Sequence, residues 1–239
     1  MSDWAEADPW GAARKRFAIE RGEKVLDVGC GASPFAPATH LCDVVCGDDG
    51  SRFLQGSPLT TDLPFFQASV EALPVADKAF DFVYCTHVLE HVADPAAACR
   101  ELSRVGRRGY VECPAAWIER LFHAPEHRWL VDHEQGRLTF RELLDEECHD
   151  LLGLQYEILP LLEEAEFRAY WNRAEVRRAR LVEFYWEGRI DCVVIPRAER
   201  KNRGSLRWFY GAPDGSPPAP PNGGPAPLSA PLWRAWRRS

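Results

Sequence analysis

Short apolar runs alternate with polar stretches that contain glycine or proline along the first half of the chain. Runs of about five residues, separated by turns and amphipathic segments, predict βαβ units and a mostly parallel sheet covered by helices. The predicted strands are 24–28, 42–46, 64–68, 80–85 and 109–113. A helix is expected over 96–105, because Asp94 can cap its first turn and Pro95 suits its first position.

The pattern changes after the fifth predicted strand. Residues 115–150 carry histidines, tryptophans and acids in irregular order, which is typical of an insertion or lid over a site. A helix is expected from Thr139 to about Cys148, since Glu142 lies three residues after Thr139 as in a capping box.

The last third of the chain predicts a β-hairpin followed by a flexible tail. Residues 181–196 alternate β-branched and aromatic side chains on both sides of Gly188, as hairpin strands do. Residues 211–239 are too rich in proline and glycine to form a packed core. The expected organisation is therefore a helical cap over 1–22, one domain over 23–210 and a tail.

Composition and charge narrow the classes of protein. The chain has 239 residues, of which 46% are apolar and 27% charged, as expected of a packed domain. No apolar run approaches the roughly 18 residues of a membrane span, and no signal-peptide pattern opens the chain, so a cytoplasmic protein is expected. The net charge of −7 argues against a nucleic-acid partner. Trp233 and Trp236 among arginines in the tail permit weak docking on a membrane or a partner.

A glycine-rich turn after the first predicted strand is the first candidate site. Asp27 precedes Gly29 and Gly31, and such a turn lets a ligand approach the backbone while the acid accepts hydrogen bonds. After the second strand, Asp48 and Asp49 can bind the two hydroxyls of a ribose. The alternatives are that the glycines only pack strand against helix and that the acids only form a turn.

These segments together resemble a known family. VLDVGCGASPF, VVCGDD, ASVEALPVADKAFDFVYCTHVLEHVADPAAACREL and GYVECP are similar, in this order and spacing, to class I S-adenosylmethionine-dependent methyltransferases. The resemblance runs over 24–114. It implies a Rossmann-like, doubly wound α/β fold with helices on both faces of a seven-stranded sheet. The sheet would be mostly parallel, with an antiparallel C-terminal hairpin strand beside the fifth. It also implies an enzyme with S-adenosyl-L-methionine as cofactor.

The resemblance assigns cofactor-binding positions in this sequence. These are Asp27, Gly29, Cys30, Gly31, Asp48, Asp49, Ser69, Val70, Cys85 and His87. The first four resemble the turn around the methionine part, and Asp48 takes the place of the ribose acid, with Asp49 as its alternative. Many relatives have an aspartate where this chain has Ser69, so adenine would be held mainly by backbone groups and stacking. Cys85 and His87 match the position that exposes the methyl group.

Methyl transfer from a sulfonium is an in-line displacement, to which a protein contributes alignment and removal of water. A base helps when the acceptor is a hydroxyl or a protonated amine. The candidate catalytic residues are His87, His127 and Glu112, while Glu90 and His91 are alternatives in a segment that the family uses partly for packing.

Acceptor contacts are expected in the insertion. The candidate residues of this substrate lid are Trp117, His123, Arg128 and Trp129. A cation and flat aromatic rings suit an anionic or sugar-like acceptor, although Trp129 can equally belong to the core. The expectation is that no metal is bound; the alternative is a site formed by His123, His127 and His133 with Asp132 or Glu126.

The sequence therefore predicts a methyltransferase acting on oxygen or nitrogen of a small-molecule or carrier-attached acceptor. Two alternatives stay open. One is an inactive cofactor-binding regulatory or scaffold protein, and the other is an RNA or protein methyltransferase, for which a basic or aromatic surface near the cleft is required.

Overall fold

The computed structural model describes residues 9–44, 59, 61–121, 126–143, 161 and 164–196. The elements in chain order are α1 (Pro9–Arg16), β1 (Val25–Val28), β2 (His40–Asp43), β3 (Phe65–Gln67), β4 (Phe80–Thr86), α2 (Pro95–Val105), β5 (Gly106–Pro114), α3 (Ala116–Leu121), β6 (Trp129–Glu134), β7 (Arg137–Glu142), α4 (Ala165–Trp171), α5 (Ala174–Arg180), β8 (Leu181–Glu187) and β9 (Cys192–Ile195). None of the described helices is long and apolar enough to cross a membrane.

The main sheet has the strand order β3-β2-β1-β4-β5-β8. Its first five strands are parallel, and β8 runs antiparallel to β5. This mostly parallel α/β sheet confirms the predicted fold class, although the described residues supply six strands where seven were expected. Because the chain order reverses on either side of β1, a crevice opens at the carboxyl ends of β1 and β4.

Alternate residues of the strands face two different cores. In β4, Val83 packs with Leu102 and Val105 of α2 on one face, while Phe82 packs with Phe17 and Tyr110 on the other. The helix α2 begins as predicted, since the Ala97 N–H donates to Asp94 Oδ1 at 2.9 Å. Both faces of the sheet are therefore covered, as a doubly wound fold requires.

A second, three-stranded sheet has the order β6-β7-β9. Leu138 and Phe140 of β7 are fully buried in the same core as α2, together with Val131 of β6. Much of the segment expected to be a lid is thus part of the core. The described strands of this segment therefore contribute to the hydrophobic core.

Two predictions about secondary structure are wrong. Residues from Thr139 to Glu142 continue the strand β7 and do not begin a helix, because alternate burial of Leu138 and Phe140 outweighs the local capping pattern; positions 144–148 lie outside the described residues. The predicted hairpin over 181–196 does not form either. β8 pairs with β5, whereas β9 pairs with β7 in the other sheet.

The reason for the separation lies between β8 and β9. Trp186 covers Gly106 and Gly109 of β5, where a Cβ atom would approach the indole to 2.9 and 2.7 Å. After β8, Ile190 is buried in the core, and its N–H donates to Ser103 Oγ of α2 at 2.8 Å. The chain therefore leaves the main sheet after Gly188 and crosses to the second sheet.

Candidate functional site

A cleft of about 220 Å³ opens at the carboxyl ends of β1, β4 and β5. Its walls come from the turn after β1, from the end of β4, from Glu112 of β5 and from α5. The lining residues are Asp27, Gly29, Cys30, Ser33, Pro34, Phe35, Ala36, Tyr84, Thr86, His87, Glu112 and Arg177. The rings of Phe35 and Tyr84 stack with centroids 3.9 Å apart, so one wall of the cleft is aromatic.

The glycine-rich turn is held against β2 by its backbone. Gly29 and Gly31 have φ angles of +73° and +54°, a region that glycine adopts without a steric penalty. The N–H groups of Gly29 and Cys30 donate to the carbonyl of Cys42 at 2.8 and 3.2 Å. The carboxylate of Asp27 accepts from the Phe35 N–H at 2.7 Å, which closes the loop over the cleft.

Asp43 is an acid that the sequence reasoning missed. β2 ends at Asp43 instead of continuing over 42–46, so Asp43 lies at its carboxyl end, and it accepts a hydrogen bond from the Gly31 N–H at 2.9 Å. The predicted ribose acids, Asp48 and Asp49, lie outside the described residues. The signal that could have found Asp43 is that it directly follows the apolar pair 41–42.

Ser69 and Val70 follow the neighbouring strand β3. The Ala68 N–H donates to the Asp43 carbonyl at 2.9 Å, which brings this segment beside the end of β2. Val70 is buried, and the Ser69 hydroxyl accepts from the Glu71 N–H. The side chain of Cys85, like that of Val70, belongs to the core beneath α2.

His87 follows β4 and lies at the floor of the cleft. Its φ of +55° turns the chain, and its N–H donates to the Glu112 carbonyl at 2.8 Å. The ring lies between two carboxylates, with Nε2 3.4 Å from Glu112 Oε1 and Nδ1 3.4 Å from Glu90 Oε1. Burial by itself would lower the pKa of His87, but the adjacent carboxylates of Glu112 and Glu90 outweigh it and raise the pKa.

Glu112 is the centre of a charged network beneath the cleft. The Tyr110 hydroxyl donates to Glu112 Oε2 at 2.5 Å, and the Arg177 guanidinium pairs with the same oxygen. Burial would raise the pKa of Glu112, but His87 and Arg177 lower it to about 2. Arg177 also reaches Glu183 of β8 at 3.4 Å. Sequence reasoning missed Tyr110, Arg177 and Glu183, because only the tertiary fold brings α5 and β8 to β5.

His127 lies in a separate buried cluster on the far side of Glu90. Its Nδ1 is 2.5 Å from Glu119 Oε2, and its ring meets that of His91 edge to face at 4.5 Å. Burial would lower the pKa of His127, but the charge and hydrogen bond of Glu119 raise it to about 9. Unlike His87 and Glu112, His127 is not among the residues that line the cleft.

The predicted acceptor contacts lie in different environments. Trp117 is 48% exposed, and its indole N–H donates to the Ala179 carbonyl at 2.6 Å. Trp129 is 7% exposed, and its indole N–H donates to the Val92 carbonyl at 2.8 Å. Arg128 is partly buried, and its backbone N–H donates to the Glu90 carbonyl. His123 lies outside the described residues.

A tryptophan-to-phenylalanine exchange separates a core role of Trp129 from acceptor contact. Trp129→Phe removes a buried hydrogen bond, so we expect the free energy of unfolding in urea to fall by about 1–3 kcal/mol. The matched control Trp117→Phe also removes an indole hydrogen bond, but water replaces it at the exposed site, and a change below about 0.5 kcal/mol is expected. A Trp129→Phe protein of unchanged stability would contradict the core assignment.

Comparison with known proteins finds a family match within the first half of the chain. Residues 26–111 match a family described as methyltransferase domain. This part of the chain, about a third of its length, is thus similar to a methyltransferase domain. Its matched range runs from β1 into β5 and includes the glycine-rich turn, His87 and the whole of α2. The cofactor that this family implies is S-adenosylmethionine.

Curated relatives share the same part of the chain. A ubiquinone biosynthesis O-methyltransferase of Paracidovorax citrulli is 37% identical over 107 residues, covering 41% of this chain and 42% of the relative. One from Cereibacter sphaeroides is 33% identical over 136 residues, covering 46% and 53%. The chain thus spans about half the length of these relatives. Among solved structures, the YcgJ protein from Bacillus subtilis is 18% identical, with a TM-score of 0.42 over 75% of this chain and 97% of that one.

Proposed function

We propose that this chain transfers the methyl group of S-adenosylmethionine to the oxygen of a small phenolic acceptor. The observation that carries the proposal is the position of His87, a partly exposed imidazole between two carboxylates at the floor of an aromatic cleft. A hydroxyl acceptor must lose a proton during the transfer, and a positioned histidine can accept it.

The residues present fit the cofactor. The methionine part suits the turn around Gly29 and Gly31, where the Asp27 carboxylate can receive its ammonium group. The carboxylate of Asp43 lies at the end of the neighbouring strand, where an acid can accept hydrogen bonds from a ribose. Ser69 and Val70 follow the next strand, β3, where their backbone groups can contact adenine. When bound, the cofactor supplies a methyl group on a positively charged sulfur, which needs no further activation.

The side chains of the cleft then orient the acceptor and take its proton. The stacked pair of Phe35 and Tyr84 forms an apolar aromatic wall against which a flat acceptor can pack. The neutral imidazole of His87 accepts the hydroxyl proton, and Glu112 and Glu90 stabilise the imidazolium that forms. A phenol loses its proton more readily than an aliphatic alcohol, with a pKa of about 10 for tyrosine. This difference favours a phenol as the acceptor, and the names of the relatives, which are O-methyltransferases, agree with oxygen as the acceptor atom.

The experiment that tests the proposal joins cofactor binding to product formation. Wild type is titrated with S-adenosylhomocysteine by calorimetry and incubated with labelled S-adenosylmethionine and a panel of phenols and catechols. Loss of the Asp43 charge is expected to weaken binding by about 10–100-fold in Asp43→Asn, the cost of one or two charge-assisted hydrogen bonds. The amide retains an oxygen that can accept from Gly31, so the turn is expected to remain.

Asp48→Asn is the matched control, because it removes an acid of the same type five positions further along the chain. We expect its affinity to change less than threefold from wild type. Equal losses in both variants would assign the ribose to both acids, and a larger loss in Asp48→Asn would reverse the assignment. A folded wild type that does not bind S-adenosylhomocysteine would overturn the cofactor proposal, and binding without any methylated phenol would overturn the acceptor.

A further inference from the structure

A second cluster of ligating side chains lies behind the cleft. Glu90, His91 and His127 each offer a ligand atom, and these three atoms lie within 4.8 Å of one another. The carboxylate of Glu90 is 1% exposed, and neither of its oxygens accepts a hydrogen bond of good geometry. Burying a carboxylate in this way is costly unless a cation balances it.

An imidazole beside Glu90 only partly meets this need. His87 Nδ1 lies 3.4 Å from Glu90 Oε1, which is a long contact for a buried pair. A carboxylate has two oxygens and about four lone-pair positions, so Glu90 can face His87 and still bind a metal cation. The side chains beside it that can supply the remaining ligands are the two histidines.

Backbone hydrogen bonds hold the two halves of this cluster together. The carbonyl of Glu90 accepts from the Arg128 N–H at 2.7 Å and from the Trp129 N–H at 3.3 Å. His127 is therefore fixed over the turn that carries Glu90 and His91, although the two histidines are 36 positions apart in the sequence.

Glu119 orients the histidine from a second layer. Its Oε2 is 2.5 Å from His127 Nδ1, and Glu119 is 2% exposed. A carboxylate that holds one ring nitrogen of a histidine, so that the other binds a cation, is the usual support of a metal-binding histidine. This contact assigns the ligand atom of His127 to Nε2.

We propose that Glu90, His91 and His127 bind a divalent transition-metal ion. Two imidazoles and one carboxylate form a donor set that suits Zn²⁺ and related ions, while Mg²⁺ prefers oxygen ligands. In a tetrahedral site with bonds of about 2.1 Å, ligand atoms lie roughly 3.4 Å apart, so the three side chains must close by about an ångström. The partly exposed His91 provides the route of entry. This inference is independent of the acceptor and of the cofactor.

Cobalt serves as the probe, because its spectrum reports the ligands. Untagged full-length protein, freed of metal with a chelator, is titrated with Co²⁺ and then with Zn²⁺ and Mg²⁺. We expect one equivalent of Co²⁺ with visible d–d bands and no thiolate charge-transfer band, displacement by Zn²⁺, and no displacement by Mg²⁺ at the same concentration. A thiolate band would assign the ion to cysteines, such as Cys113, which lies beside Glu90, and would overturn the site.

Variants locate the ion within the protein. Glu90→Gln and His91→Asn are expected to lose the d–d bands, while Glu119→Gln retains one equivalent with an affinity about 10–100-fold weaker. His133→Asn is the matched control, since this exposed histidine lies on β6 outside the cluster, and its titration should equal that of wild type. Thermal unfolding without metal checks that each variant is folded. If folded Glu90→Gln or folded His91→Asn binds Co²⁺ as wild type does, or if wild type binds none, the proposal fails.

Discussion

Replacing His87 with asparagine is expected to lower kcat by about 10²–10⁴-fold, the usual contribution of a general base. The physical reason is that the acceptor proton then has no positioned acceptor at the floor of the cleft. Asparagine is the most suitable replacement, because His87 has a φ of +55° and asparagine tolerates the left-handed region better than alanine. The measurement is the rate of methylation of the phenol that wild type uses best, with S-adenosylmethionine in excess.

Two comparisons separate chemistry from folding in this experiment. The affinity for S-adenosylhomocysteine should change less than tenfold in His87→Asn, because the Gly29 turn and Asp43 remain. His133→Asn, a change of the same type at an exposed histidine, should leave kcat within a factor of two. A His87→Asn enzyme that retains more than a tenth of the wild-type kcat would remove His87 from the role of base.

Replacing Gly29 with alanine is expected to lower the free energy of unfolding by about 2–5 kcal/mol and to abolish cofactor binding. A left-handed φ costs a non-glycine residue about 1–2 kcal/mol, and overpacking a well-packed site costs about 1–3 kcal/mol more. Both apply here, since the φ of Gly29 is +73° and an added Cβ would lie 2.2 Å from Val88 Cγ2. Urea denaturation and calorimetry with S-adenosylhomocysteine measure the two effects.

Gly188 offers a matched control for this substitution. Its φ is +74°, but nothing lies within 4 Å of an added Cβ, so Gly188→Ala is expected to show only the backbone cost. Val88→Ala should relieve the clash. The double variant with Gly29→Ala and Val88→Ala should therefore lose less free energy of unfolding than the sum of the losses in the two single variants. If Gly29→Ala destabilises no more than Gly188→Ala, the contact with Val88 does not constrain the turn.

The parallel half of the fold could be predicted because its signals are local. Each of the first five strands is a short apolar run, and the helix α2 begins at a recognisable cap, Asp94. β2 was placed two residues late, because the apolar run through Val44 and Val45 has no marked end in the sequence. Because of that shift, Asp43, which ends β2, was not among the predicted site residues.

Local sequence patterns did not predict the second half of the fold correctly, because its strands pair with strands that are distant in the sequence. The capping pattern at Thr139 and Glu142 is consistent with a helix, but burial of Leu138 and Phe140 against the α2 core decides for a strand. The alternation over 181–196 does report two strands, yet each pairs with a different sheet. Which sheet a strand joins depends on the apolar surface that it buries, and the neighbouring residues in the sequence do not identify that surface.

Some features of the site could be predicted from the sequence, and others are visible only in the tertiary structure. By itself the sequence determined the glycine-rich turn, the acid before it and His87 after β4, because a parallel sheet brings the carboxyl ends of its strands to one edge. Only the tertiary structure decided which charges surround His87. Arg177 and Glu112 are 65 positions apart, and His127 meets Glu90 across 37 positions, so their contacts arise from packing of separate elements. Burial then strengthens these contacts, because charges removed from water interact more strongly with each other.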